Sequence, residues 1–258
     1  MQHVAKTVTV RVASAAITRI AARTGGYWEM RKRLIRTFAV AALVVAPIAA
    51  HSANAPNAAA VVPQNPILFV HGFNSSASTW NTAIAYFQSQ GYSSAQLRAF
   101  SYNTSQSNST TANTIASQVN TLLANNPGAT KVDIVAHSMG ALSTRYYVKN
   151  LGGTAKVDEL VTLAGANQGT TWAYGCFFLT SCQQMFPGSS FVNQLNAAPS
   201  TPGPTRHGGW WSACDGVILP NSNAQIPGGI NTQTACLGHS EVKDNSTVLG
   251  QVLTFVNS

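Results

Sequence analysis

The sequence predicts an α/β domain: a doubly wound, mainly parallel sheet with helices on both faces. Three observations carry that reading. Unbroken or nearly unbroken apolar runs at 67–70, around Val132, Ile134 and Val135, and at 157–163 suit strands buried on both faces. Segments with apolar residues at helical spacing alternate with them, as crossover connections in a parallel sheet require. At 132–144, VDIVAHSMGALST, a strand runs through a sharp turn into a helix with one serine at the tip.

In chain order, 67–70 is the first strand, running into His71-Gly72-Phe73-Asn74. A helix over 78–90 carries Trp80, Ile84, Tyr86 and Phe87 and is stopped by Gly91. A short strand follows at 96–102. The Ser/Thr/Asn-rich stretch 101–111 reads as a solvated loop. A helix over 114–125 has Ile115, Val119 and Leu122 on one side. After the strand–turn–helix unit, Gly152-Gly153 ends the helix and 157–163 is the next strand. From 171 to 209 the alternation fails, and this segment reads as an insertion above the sheet. A strand resumes at 210–213, the last strand lies at 232–237, and a closing helix spans 247–255.

The formal charge of +8 is concentrated at one end. Residues 1–55 carry eight Lys/Arg and one Glu, whereas 56–258 carry seven Lys/Arg and six Asp/Glu, near +1. That balance excludes a nucleic-acid footprint or a basic face for anionic lipid. Met30-Arg31-Lys32-Arg33 and Arg36, followed by the apolar run 38–50 and small residues, read as a secretory signal over 30–55. The apolar run is too short to span a membrane. Cleavage is expected after Ala55 or, because Pro56 hinders that site, after Ala60. Met30 reads as the true start and 1–29 as a spurious extension, leaving one domain over 61–258.

Export permits disulfides. Cys176, Cys182, Cys214 and Cys236 allow three connectivities; nearest-neighbour pairing, Cys176–Cys182 and Cys214–Cys236, is preferred over free thiols. The spacings do not suit zinc, and no metal or cofactor is expected.

The tip of the strand–turn–helix unit departs from the Gly-x-Ser-x-Gly nucleophile elbow only in Ala136. A serine held in a strained turn needs small residues two before and two after it; Ala136 and Gly140 provide them. Ser138 is therefore the candidate nucleophile. In the α/β-hydrolase fold an acid and then a histidine base follow the serine. His239 stands just after the last strand. His71 precedes the serine and reads as structural, His137 adjoins it, and His207 lies at the foot of a strand. Asp215 ends its strand at the ligand-binding edge, whereas Asp133 and Asp158 lie lower in theirs, and Glu241 and Asp244 follow the histidine. The backbone N–H groups of Phe73 and Met139 are the candidate oxyanion donors. A Cys214–Cys236 bond would tie the acid's loop to the base's loop.

With NPILFVHGF, VDIVAHSMGA, VTLAGANQGT, CDGVILP and LGHSEV in view, the chain resembles the secreted bacterial triacylglycerol lipases of small Ala-x-Ser-x-Gly type. The resemblance runs from about Asn65 to the end. It implies an α/β-hydrolase fold, a Ser138–Asp215–His239 triad, oxyanion donors at Phe73 and Met139, and cofactor-free hydrolysis of carboxylic esters. It also implies a monomer in transient contact with a lipid–water interface. The cysteine-bearing insertion after Gly169 is longer than compact members carry. The competing readings are a short-chain carboxylesterase or cutinase-like polyester hydrolase, an acyltransferase, and a non-catalytic hydrolase-fold binding protein.

Overall fold

A computed structural model describes residues 64–258. The expected extension 1–29, the signal 30–55 and both cleavage sites lie outside the described residues.

Six parallel strands form one sheet: β1 (Ile67–Val70), β2 (Leu97–Ala99), β3 (Val132–His137), β4 (Val157–Leu163), β5 (Arg206–Trp211) and β6 (Ile230–Gln233), in the order β2-β1-β3-β4-β5-β6. The chain winds outward from β1 to β2, then returns to place β3 on β1's other side. That reversal opens a crevice above the β1 and β3 ends, where ligands bind in such sheets.

Strand alternation divides the core. Ile67 and Phe69 of β1, with Val135 and Val161, pack against α1 (Asn81–Ser89) and α6 (Ser246–Val256) through Phe87, Leu249 and Val252. Leu68 and Val70, with Ile134 and Ala136, face α2 (Asn108–Ala124) and α3 (Gly140–Asn150) through Ile115, Val119 and Tyr147. β1, β3 and most of β4 are buried on both faces, as their apolar runs predict.

Three elements differ from expectation. Helix α2 begins six residues before 114, because the Ser107 hydroxyl caps it by accepting the Thr110 N–H at 3.1 Å. Its first turn then buries Asn108, Thr111 and Ala112. β5 begins at Arg206, four residues before 210, because Gly208 and Gly209 are packed within the sheet rather than looping out. A Cβ at Gly208 would lie 2.8 Å from the Trp210 ring. β6 runs from Ile230 to Gln233, two residues earlier than expected at its start, and leaves 234–237 as irregular backbone.

The insertion folds over the crevice as a 3-10 segment (Thr171–Cys176) and two short helices, α4 (Thr180–Gln184) and α5 (Ser190–Asn196). Its Cys182, Met185, Phe191 and Leu195 pack on Met139 and Leu142 at the start of α3. Asn108 ties it to the body, donating to the Ser181 carbonyl and Gln184 Oε1. Among the described residues no helix is long and apolar enough to cross a membrane.

Candidate active site

β3 delivers Ser138 to the crevice. Its φ of 55° lies in the left-handed region that non-glycine residues rarely occupy. The strain is held by close packing. A Cβ at Gly140 would lie 2.5 Å from the His71 carbonyl oxygen, and one at Gly72 would lie 2.7 Å from Ser138 Cβ. Both glycines are fixed by the space that the elbow needs.

His239 and Asp215 meet at the same rim. His239 Nδ1 lies 2.9 Å from both Asp215 carboxylate oxygens, so Nδ1–H donates to the acid and Nε2 remains the ring's acceptor. Asp215 Oδ1 also accepts the Val217 N–H at 2.9 Å and the Ile218 N–H at 2.7 Å. Burial alone would push this carboxyl up. The His239 contact and the two amides outweigh it and hold Asp215 below the usual carboxylate range. The disulfides are Cys176–Cys182 and Cys214–Cys236, the pairing that nearest-neighbour spacing predicts. The second staples the acid's loop to the base's loop.

Ser138 and His239 line one pocket of about 260 Å³ together with Phe73, Asn74, Thr170 and Trp172. The Ser138 hydroxyl makes no hydrogen bond among the described residues, and such a nucleophile–base contact tightens when substrate binds. Likewise, the Phe73 and Met139 N–H groups have no acceptor among them. A larger depression, about 620 Å³, lies at the opposite edge around Asn65, Gln96 and Pro127; no His, Asp, Glu, Lys or Cys lines it, and its Ser93 hydroxyl donates to Gln96 Oε1 at 2.9 Å. Among the described residues no group of three His, Cys, Asp or Glu side chains could hold a metal ion.

The other histidines among the described residues differ in how near they come to the reaction rim. His71 is fully buried, donates Nδ1–H to the Gly72 carbonyl at 2.9 Å, and stacks on Tyr102. His207 sits at the foot of β5 and binds the Thr205 carbonyl at 3.0 Å; burial pushes it down to about 4. His137 is closer than the sequence suggests. Its Nε2–H donates to the His239 carbonyl at 3.1 Å, and the two rings are 4.6 Å apart. Burial first, and then the neighbouring His239, push it down to about 3, so it stays neutral.

Several pocket residues carry no sequence signal of their own. Asn74 has a φ of 50° at the end of the β1 loop. Thr170 donates to the Val217 carbonyl and accepts the Trp172 and Leu219 amides, joining the insertion to the acid's loop. Thr170 lies seven residues beyond the end of β4, where no local pattern marks it.

Comparisons with known proteins agree with this architecture. The family Lipase (class 2) matches residues 64–252. A Bacillus licheniformis lipase, BlEst2 in mature form, superposes with a TM-score of 0.66 at 15% identity over 75% of this chain and 92% of its own. Aspergillus fumigatus lipase B gives 0.63 at 14% identity over 76% of this chain and 52% of its own. A structure described with the metagenome-derived lipolytic enzymes LipS and LipT gives 0.57 at 14% identity over 75% of this chain and 94% of its own. At these identities the structural matches establish the α/β-hydrolase fold.

Proposed function

Since this chain belongs to the class 2 lipase family and is a carboxylic ester hydrolase, we propose that it is a secreted lipase cleaving acylglycerol esters through an acyl-enzyme on Ser138. Residues 61–258 form the single catalytic domain, released from the leader at 30–55 and working as a monomer outside the cell. The two disulfides fit an oxidising compartment.

Ser138 Oγ attacks the ester carbonyl carbon while His239 Nε2 takes its proton. The carbonyl oxygen becomes an oxyanion that the Phe73 and Met139 amides bind, each worth roughly 3 kcal/mol of barrier. The C–O bond to the alcohol then breaks, and His239 returns the proton to the leaving oxygen. Water, deprotonated by the same imidazole, releases the acid and restores Ser138. Asp215 holds His239 in the required tautomer throughout.

The observation that carries this reading is the symmetric seat of His239 Nδ1 on Asp215, which leaves Nε2 as the free base in the pocket that Ser138 also lines. Ser138→Ala is expected to lower kcat at least about a thousandfold and to abolish fluorophosphonate labelling without unfolding the chain. Undiminished turnover in that variant would remove the mechanism.

Pocket size favours a second reading. At about 260 Å³ it falls short of the roughly 300–1,000 Å³ of sites that enclose a drug-sized ligand, which suits a short-chain carboxylesterase or a cutinase-like polyester hydrolase. Initial rates on p-nitrophenyl esters from acetate to palmitate, set beside emulsified triolein, decide between the two.

A further inference from the structure

Asp215 Oδ1 takes its two backbone hydrogen bonds from Val217 and Ile218, so whatever orients those amides also orients the acid. The shorter of the two, at 2.7 Å, comes from the Ile218 N–H. That N–H shares one planar trans peptide group with the Val217 carbonyl, and the two point in opposite directions. Holding the carbonyl therefore holds the N–H.

Thr170 holds it. Its Oγ1 donates to the Val217 carbonyl at 2.6 Å and accepts the Leu219 N–H at 3.1 Å, gripping the chain on both sides of Ile218. The Trp172 N–H, at 3.2 Å, fills the second lone pair. One donor and two acceptor positions are then all in use. Although Thr170 lines the pocket, its hydroxyl has nothing left over for a substrate. The residue is 1% exposed, so water does not compete for these partners.

The backbone that carries this hydroxyl is itself fixed. The Thr170 N–H donates to the Met185 carbonyl at 2.8 Å, and the Thr171 N–H donates to the Leu219 carbonyl at 3.0 Å. A Cβ at the preceding Gly169 would lie 2.7 Å from the Met185 carbonyl oxygen, so the approach is close as well as bonded. Capping the 3-10 segment requires only the bond from the Trp172 N–H. The bonds to Val217 and Leu219 serve the acid's loop. In the series Thr170 O–H, Val217 C=O, Ile218 N–H and Asp215 Oδ1, each bond polarises the next and tightens the hold on the carboxylate.

We propose that Thr170 is a positioning residue for the reaction: its hydroxyl sets the Val217–Ile218 peptide so that the Ile218 N–H stays aimed at Asp215, which in turn seats His239. The proposal rests on the reading of Asp215 as the acid of the triad. It adds a fourth side chain, contributed by the segment that leads into the insertion, which acts through the acid and not on the substrate.

Turnover of soluble p-nitrophenyl butyrate is measured for Thr170→Val, which keeps the shape and loses the hydroxyl, and for Thr170→Ser, which keeps the hydroxyl. Each is made with Asp215 intact and with Asp215→Asn, and thermal melts are recorded for all. Thr170→Val should lower kcat about tenfold with KM within about twofold. Thr170→Ser should hold kcat within about threefold, because the donor and both acceptor positions remain. In the Asp215→Asn background Thr170→Val should cost less than about twofold, since its route to the reaction is already cut. Should Thr170→Val not fold, Thr170→Ala, which leaves room for a water between Val217 and Leu219, replaces it in the same comparison. An unchanged kcat with a lowered melting temperature would reduce Thr170 to a cap and overturn the proposal. Equal losses in both backgrounds, a loss confined to KM, or a Thr170→Ser variant no better than Thr170→Val would overturn it as well. Intact turnover in Asp215→Asn alone is a separate outcome: the triad reading would fall, and this proposal with it.

Discussion

Asp215 and Asp133 are buried carboxylates at opposite ends of one parallel sheet, and their surroundings push them in opposite directions. At the C-terminal end, Asp215 accepts two backbone amides and the His239 ring, and both its oxygens have donors. At the N-terminal end the β3–β4 pairing is irregular between Val132 and Ile134, so that Asp133 stands opposite two residues, Asp158 and Glu159. Asp133 Oδ1 accepts the Glu159 N–H at 3.1 Å and Asn65 Nδ2 at 3.3 Å, while Oδ2 has no partner among the described residues. Burial first, and then the Glu159 carboxyl, raise Asp133 well above the usual range. Depth does not distinguish these two acids; the number of N–H groups aimed at each does.

The largest test of that contrast is Asp215→Asn. The Val217 and Ile218 amides hold the amide oxygen, so Nδ2 turns toward His239 Nδ1 and forces the proton onto Nε2. Turnover of a soluble ester should fall about 10⁴-fold, whereas Asp133→Asn should leave kcat/KM within about twofold. Equal losses at both positions would erase the distinction. Next in size is the staple beside Asp215. Cys214→Ser with Cys236→Ser should cost about 3 kcal/mol in denaturant unfolding. Opening Cys176–Cys182 should cost about 1 kcal/mol less, because the sequence separation is 6 rather than 22.

His137 supplies a smaller perturbation at the same rim. His137→Phe removes the donor to the His239 carbonyl and should lower kcat about tenfold with little change in KM for a soluble ester. The smallest effect belongs to the lower acid and depends on pH. A raised folded pKa means that the native state keeps its proton longer than the unfolded chain, so the penalty grows as pH climbs above the ordinary carboxylate range. Asp133→Asn should therefore raise stability by on the order of 1 kcal/mol at pH 8 and by nothing measurable at pH 4. For Asp215 the sign reverses: its folded pKa is depressed, and its stabilisation is present at neutral pH and lost as pH falls through and below that same range. Thermal melts across this range would read both signs.

Much of this arrangement is legible in the sequence where the local pattern and the tertiary demand coincide. Strands buried on both faces must be apolar throughout or nearly so, and thus β1 and β4 show their ends. The elbow shows itself because Gly140 has no alternative in that space. Where burial uses polar or small residues, the signal disappears. Asn108 and Thr111 look like loop residues, yet both are buried in the first turn of α2. Arg206-His207-Gly208-Gly209 resembles a turn, yet it supplies four of the six residues of β5, since the glycines make room for Trp210, Phe255 and Asn231. β6 is mostly exposed although all four of its residues pair with β5, and its sequence gives no alternation to find. The bond from His137 to His239 joins residues 102 positions apart, which no local pattern encodes.

The near-contact between Gly72 and Ser138 bears on how such an enzyme could be retuned. Because an added carbon would lie only 2.7 Å from Ser138 Cβ at Gly72, and 2.5 Å from the His71 carbonyl oxygen at Gly140, the floor beneath the reaction admits no new side chain. Variation in what the enzyme accepts is therefore channelled into its roof, where 171–196 can be rebuilt or exchanged while the chemistry below stays as it is. Directed evolution for a different ester should gather its useful changes there.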